Sequence, residues 1–198
     1  MRKNKLAYHI GNILIIVSLI GFGVTFYPLI SAYFPRSYAN EQSSDGNAIS
    51  IPKIKANSPI IENVDPFNKL EYDEALKQGV AHAKSTASPG QAGTVFLFAH
   101  SSALPWELTR VNAVFLRLGE LKNGDIINIV QNGKKYTYEV TDKKVVWPNE
   151  VNYLLNTSKT QLILQTCTPI GTSLKRLLIF ATMQHSKPDV PTHTTSGV

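Results

Sequence analysis

Cys167 is the sole cysteine of the chain. It stands between an apolar run, Gln161-Leu162-Ile163-Leu164-Gln165-Thr166, and a turn-rich stretch, Thr168-Pro169-Ile170-Gly171-Thr172. The first has the composition of a β-strand and the second that of a loop, so the sulfur is expected at a strand end, where a substrate can reach it. Arg176 then opens another apolar run, Leu177-Leu178-Ile179-Phe180-Ala181. If the two runs pair across the loop, the sulfur and the guanidinium lie side by side at one end of a sheet. A thiol attacks a carbonyl carbon as its thiolate, a nearby cation favours that form, and a guanidinium can also donate to a developing oxyanion. Expelling an amine needs a proton donor as well. A third apolar run, Val95-Phe96-Leu97-Phe98-Ala99, ends at His100, followed by Ser101-Ser102. Its imidazole is suited to proton transfer near neutral pH.

Taken singly, each of these residues has a blander reading. A lone cysteine is more often a small buried hydrophobe than a nucleophile, and a histidine or arginine at a strand end is usually structural. The functional reading rests on the three together. One cysteine excludes an internal disulfide and leaves too few thiols for a zinc knuckle. The 198 residues, 43% hydrophobic and 17% charged, suffice for one domain of about 150 residues with appendages.

The elements that must position these groups begin after residue 39. From Leu6 to Pro35 there is no charged side chain, and residues 10–30 are dominated by Ile, Leu, Val, Gly and Phe. About 20 such residues cross a ~30 Å hydrocarbon core as a helix. Residues 1–5, with Arg2, Lys3 and Lys5, form a basic end expected in the cytoplasm, and residues 6–35 are a single-pass anchor that sets the remainder outside. Tyr27, Tyr33 and Phe34 suit an outer aromatic belt, and Pro28 and Pro35 suit the helix end. A cleavable signal peptide is the rival, with Ser37-Tyr38-Ala39 as its small-x-small site; the apolar run is longer than such peptides carry. Four of the 20 basic residues, Arg2, Lys3, Lys5 and Arg36, precede position 39, leaving 16 against 14 acidic ones. The net charge of +6 is therefore no sign of a nucleic-acid partner. Lys134-Lys135 and Lys143-Lys144 read as solvated strand ends.

Residues 36–47 have linker composition, residues 184–198 that of a loose polar tail, and 48–183 a single mostly β domain. Strands are expected over 48–54, 59–62, 93–99, 125–131, 135–146, 161–166 and 176–182, with helices over 69–83 and 111–118. Asn132-Gly133 supplies the positive φ angles of a tight hairpin turn. About eight strands with few helices make the fold class all-β, either a barrel or a sandwich.

Residues 48–183 also resemble the sortases, membrane-anchored cysteine transpeptidases. The resemblance is carried by Ile49-Ser50-Ile51-Pro52-Lys53-Ile54, by Gly79-Val80-Ala81-His82 before Ser88-Pro89-Gly90-Gln91-Ala92-Gly93, by Ala99-His100-Ser101, by the stretch 118–125 ahead of the hairpin, and by Leu164-Gln165-Thr166-Cys167-Thr168-Pro169 with Arg176 following. It implies a closed eight-stranded sortase-type β-barrel in which Cys167 is the nucleophile, His100 the general acid and base, and Arg176 the oxyanion or substrate-positioning group. Thr166, Ser101 and Thr168 would bind substrate. His82 matches the family's upstream histidine, which is not the catalytic one; His9 falls in the anchor, and His185 and His193 fall in the tail.

Two positions depart from the family pattern: Ala99 stands where glycine is usual before the histidine, and Gln165 where a small or β-branched residue is common. Asp65-Pro66-Phe67 resembles the lid motif of pilin-polymerising sortases but lies after the opening strand, and is read here as a turn into the helix. The implied partners are surface proteins with a C-terminal sorting signal like Leu-Pro-x-Thr-Gly, an amine acceptor of the cell wall or a pilin lysine, and the membrane; the chemistry calls for no metal or cofactor. Two other classes stay open at this point: a tethered cysteine hydrolase using the same residues with water, and a non-catalytic extracellular β domain with an enclosed, inert Cys167.

Overall fold

In the computed structural model the described residues are 5–33, 46–101, 113–155 and 158–184. The apolar N-terminal stretch forms helix α1, Lys5–Tyr33, which runs through Pro28. Phe34 and Pro35 lie outside the described residues. Within α1, Tyr8–Tyr27 has a mean hydropathy of 2.0 and none of it is buried against the domain. At about 1.5 Å per residue, 20 residues reach across a bilayer core, so the helix fits a membrane anchor.

Eight strands among the described residues close into a barrel. They are β1 (Ala48–Ile51), β2 (Ala56–Val64), β3 (Val80–Ala83), β4 (Thr94–Phe98), β5 (Ile126–Gln131), β6 (Lys134–Val146), β7 (Gln161–Thr168) and β8 (Lys175–Met183). Their order around the barrel is β1-β2-β3-β4-β7-β8-β6-β5, which decides between barrel and sandwich. Closure leaves no unpaired sheet edge. Neighbours are antiparallel except β2 with β3 and β4 with β7.

Period-2 alternation fills the interior. Ile49 and Ile129 pair, Leu97 pairs with Leu164, and Val140 and Leu162 both pair with Ala181; each of these side chains is fully or almost fully buried. At about 1.5–3 kcal/mol per large apolar side chain, this layer is a main source of stability. A second apolar layer lies on the outer face. Phe96 pairs with Ile163 and Ile163 with Phe180, and all three are buried. Helix α2 (Lys69–Gln78) packs near this layer through Tyr72, edge-on to Phe98 at 6.4 Å, and the short helix α3 (Asn152–Leu155) through Tyr153, 5.6 Å from Phe180. Being covered on both faces explains why every residue of β4 is buried.

The hairpin forms as read. Gln131 pairs with Lys134 across Asn132 and Gly133, whose φ angles are +51° and +74°, the left-handed pair that a two-residue turn requires.

Three expected elements differ. The strand over 48–54 stops at Ile51, because Pro52 opens a 3₁₀ turn, Pro52–Ile54, closed by Lys55 at φ +53°. The helix over 69–83 ends at Gln78; Val80–Ala83 leaves it to become β3, buried at every position between β2 and β4. Gly79 makes that junction possible, since a Cβ there would lie 2.4 Å from the Pro59 carbonyl oxygen. The helix over 111–118 is not α-helical in its described part. Turns precede a 3₁₀ turn, Leu118–Glu120, and the buried Phe115, Leu118 and Leu121 recur every third residue, the period of a 3₁₀ helix. Val111 and Asn112 lie outside the described residues.

Candidate active site

Strands β4, β7 and β8 are consecutive in the barrel, and the three residues singled out by their chemistry come from them or from their ends. Cys167 and Arg176 are direct cross-strand partners on β7 and β8. Opposed residues of an antiparallel pair project to the same face, with Cβ atoms about 4.5–5.5 Å apart. On the other side, β4 and β7 run parallel with Phe98 opposite Gln165. The Ala99 amide donates to the Gln165 carbonyl at 3.2 Å, and the Thr166 hydroxyl to the Ala99 carbonyl at 2.9 Å. Continuing that register brings His100 opposite Cys167. The His100 carbonyl in turn accepts from the Phe115 amide at 3.3 Å. The order His100, Cys167, Arg176 thus runs across three adjacent strands at one end of the barrel.

All three line one cleft of about 660 Å3. Its floor is the outer face of the barrel, with Phe96, Phe98 and Gln165; its walls are the start of α2, the stretch from Trp147 to Leu154, and the β7–β8 loop at Gly171, Thr172 and Ser173. Cys167 is half-buried, so it is not the enclosed thiol of a binding domain. The Arg176 Nη1 donates to the carbonyls of Ser173 at 3.0 Å and Lys175 at 3.3 Å.

The other expected substrate contacts divide. Ser101 and Thr166 are buried and border the cleft, although the Thr166 hydroxyl is taken up by the Ala99 carbonyl. Thr168 is the last residue of β7, half-buried and paired with Lys175, and is not among the cleft-lining residues. Asp65-Pro66-Phe67 is a turn, with the Phe67 amide donating to Asp65 Oδ1 at 2.9 Å and Asn68 capping α2. Pro66 and Phe67 nevertheless border the cleft.

His82 is set apart from this cleft. It pairs with Leu97, whose side chain points into the barrel, opposite to Phe96 and Phe98. Its Nδ1 meets a carboxylate oxygen of Glu62, and its Nε2 lies 3.0 Å from the Ala87 carbonyl and 3.1 Å from the Thr86 hydroxyl. The Thr86 hydroxyl donates to the Ala83 carbonyl. Both ring nitrogens therefore face acceptors, which makes His82 a structural cross-link. The hydrogen bond from His82 holds the Glu62 carboxyl below its ordinary value, outweighing the opposing effect of burial, and Asn47 and Gln131 add to it.

Sequence reasoning overlooked three aromatic walls of the cleft, Tyr72, Trp147 and Tyr153, and took Phe67, the fourth, only as part of a turn. Trp147-Pro148 directly after a strand pattern marks a loop, but which loop folds over the cleft is a tertiary matter. Lys175 sits 4.6 Å from the Trp147 ring centre, and the Trp147 amide donates to Glu150 Oε1 at 2.7 Å. Among the described residues no three His, Cys, Asp or Glu side chains are grouped so as to hold a metal ion.

A half-buried cysteine beside an arginine at one end of a closed barrel is an arrangement suited to attack on a carbonyl by sulfur with a cation at hand for the oxyanion. A sortase-domain family profile matches residues 49–184, and the chain belongs to the sortase family, whose members are cysteine transpeptidases. It is 30% identical over 148 residues to sortase D of Bacillus subtilis (strain 168), covering 73% of this chain and 66% of that protein. Among solved structures it is similar to sortase C-1 from Actinomyces oris (29% identity, TM-score 0.59, 70% of this chain and 73% of that one). A lid mutant of sortase A from Corynebacterium diphtheriae is 28% identical with a TM-score of 0.60, over 78% of this chain and 77% of that one.

Proposed function

We propose that this protein cleaves a C-terminal sorting signal resembling Leu-Pro-x-Thr-Gly on surface proteins and joins the product to an amine of the cell wall or of a pilin lysine. The Cys167 thiolate attacks the Thr carbonyl, and Arg176 donates to the oxyanion. As the Thr–Gly bond breaks, protonated His100 gives its proton to the departing Gly amine, leaving a thioester and a neutral imidazole. An incoming amine then attacks the thioester, its proton passes to His100, and the C–S bond breaks to return the thiolate. One amide bond replaces another, and water, oxidant and cofactor take no part. Ser101 and Thr166 border the cleft beside the reacting groups, Thr166 with its hydroxyl held by the Ala99 carbonyl, whereas Thr168 lies outside the cleft lining and is not counted as a substrate contact.

The observation that carries this reading is the cross-strand pairing of Cys167 with Arg176 beside the end of β4. The domain organisation that goes with it is a cytoplasmic basic end at residues 1–5, a single-pass anchor over 6–35, a linker over 36–47, the catalytic barrel over 48–183 outside the membrane, and a polar tail. Substrates that carry their own membrane-spanning tails share the plane of the anchor, which raises encounter frequency without any new contact.

The test is a sorting-signal peptide incubated with the full chain in detergent, with and without abundant amine, followed by mass analysis. Amide product and a trapped acyl–Cys167 adduct are expected, with Cys167→Ala giving neither. Free acid in the presence of abundant amine would overturn the transfer half in favour of a hydrolase.

A further inference from the structure

The guanidinium of Arg176 is not positioned by the barrel alone. Its Nη1 donates to the Ser173 carbonyl, which belongs to the loop joining β7 to β8. That loop has its own internal frame. The Thr172 amide donates to the Pro169 carbonyl at 3.0 Å, with Gly171 at φ +82°, the third position of a type II turn, where glycine is favoured. The Thr172 hydroxyl donates to the same Pro169 carbonyl at 2.8 Å and accepts from the Leu174 amide at 3.5 Å. One hydroxyl thus ties the half of the loop that leaves Cys167 to the half that leads into Arg176. The carbonyl that holds Arg176 lies between the two residues so tied. Among the described residues Nη1 is the one Arg176 nitrogen with protein acceptors, which leaves Nε and Nη2 for a ligand.

We infer that Thr172 is a positioning residue. Its hydroxyl fixes the Ser173 carbonyl, and that carbonyl sets the direction in which the Arg176 guanidinium is offered to an anion forming next to the Cys167 sulfur. The role of Arg176 rests on the function proposed above; the role of Thr172 is tested without it. An anchored guanidinium also attracts a carboxylate that approaches the sulfur. The ratio of Cys167 alkylation rates with iodoacetate and with neutral iodoacetamide therefore reports where the cation sits, while thiolate fraction and access largely cancel.

With the full chain in detergent, Arg176→Ala is expected to lower that ratio about fivefold, the effect of a unit charge about 4 Å away in water. Thr172→Val, which keeps the shape and removes the hydroxyl, should give most of the same fall, and Thr172→Ser should restore the wild-type ratio. Thr172→Val added to Arg176→Ala should change nothing further, because coupled residues are not additive. In peptide cleavage, Thr172→Val should lower kcat about tenfold with KM within about twofold, since misplacing a group by about 1 Å costs up to a hundredfold. A wild-type ratio in Thr172→Val, or a fall that adds to that of Arg176→Ala, would overturn the positioning role. A wild-type chain that leaves the sorting peptide intact counts against the proposed function alone, and the alkylation ratios still decide the role of Thr172.

Discussion

Cys167 and Arg176 occupy directly opposed positions on β7 and β8, so the backbone register of two antiparallel strands, and not a flexible loop, fixes the separation of their Cα atoms. Arg176→Ala keeps the strand pairing and removes the donor. Loss of one oxyanion donor costs on the order of 100 to 1,000-fold in rate, and kcat in peptide cleavage should fall by that amount. Arg176→Lys should recover little, because an ammonium does not reproduce the planar, forked donor set. Unchanged kcat in Arg176→Ala would remove the arginine from the mechanism.

Thr166 carries a different expectation. Its hydroxyl donates to the Ala99 carbonyl and so joins the end of β7, next to Cys167, to the end of β4, next to His100. Thr166→Val leaves a buried carbonyl without its partner, at a cost of about 1–3 kcal/mol. Both Tm and kcat should drop, with Thr166→Ser close to wild type in both. An effect confined to KM would mean that the hydroxyl serves the substrate instead.

Glu62 gives the acid side of the stability profile. Its folded carboxyl titrates below the ordinary 4.5, chiefly through the hydrogen bond from His82. A depressed carboxyl contributes stability above its unfolded pKa and loses it as pH falls through the folded value. Thermal unfolding across acid pH should show Tm falling from about pH 4.5 downward. Glu62→Gln should lower Tm at neutral pH and flatten that acid limb. A Glu62→Gln profile parallel to wild type would show that the pair contributes nothing to the pH dependence.

Gly79 stands where α2 turns into β3. A methyl group there meets the Pro59 carbonyl oxygen at 2.4 Å, and backbone cannot give way as a flexible side chain can. Gly79→Ala should therefore destabilise the domain by about 1–3 kcal/mol, read as a lower denaturant midpoint. A midpoint at the wild-type value would show that the junction can relax.

Local patterns carried much of the fold. The Asn132-Gly133 turn and the alternation on either side of it were legible because turn chemistry and period-2 burial are properties of adjacent residues. The strand ending near Cys167 was legible for the same reason, although β7 extends to Thr168. Strand β3 was not, since Val80-Ala81-His82-Ala83 continues a helical pattern and differs from it only by being buried on both sides. The 3₁₀ turn at Leu118 was read as helix because apolar residues three apart suit either form over so short a span. The resemblance set His82 aside, but the reason, its pairing with Glu62, is announced by nothing in the order of residues.

What the sequence by itself determined is the set of reactive groups: one thiol, an imidazole and a guanidinium, each at the end of an apolar run, downstream of a helix fit for a membrane. Adjacency was decided by the tertiary structure. The Thr166 to Ala99 bond joins residues 67 positions apart, across a parallel pairing of β4 with β7 that no local periodicity encodes. Parallel strands need a long connection, and here that connection holds β5 and β6; only closure of the whole barrel determines that the cysteine strand inserts between the strand leading to His100 and the strand bearing Arg176.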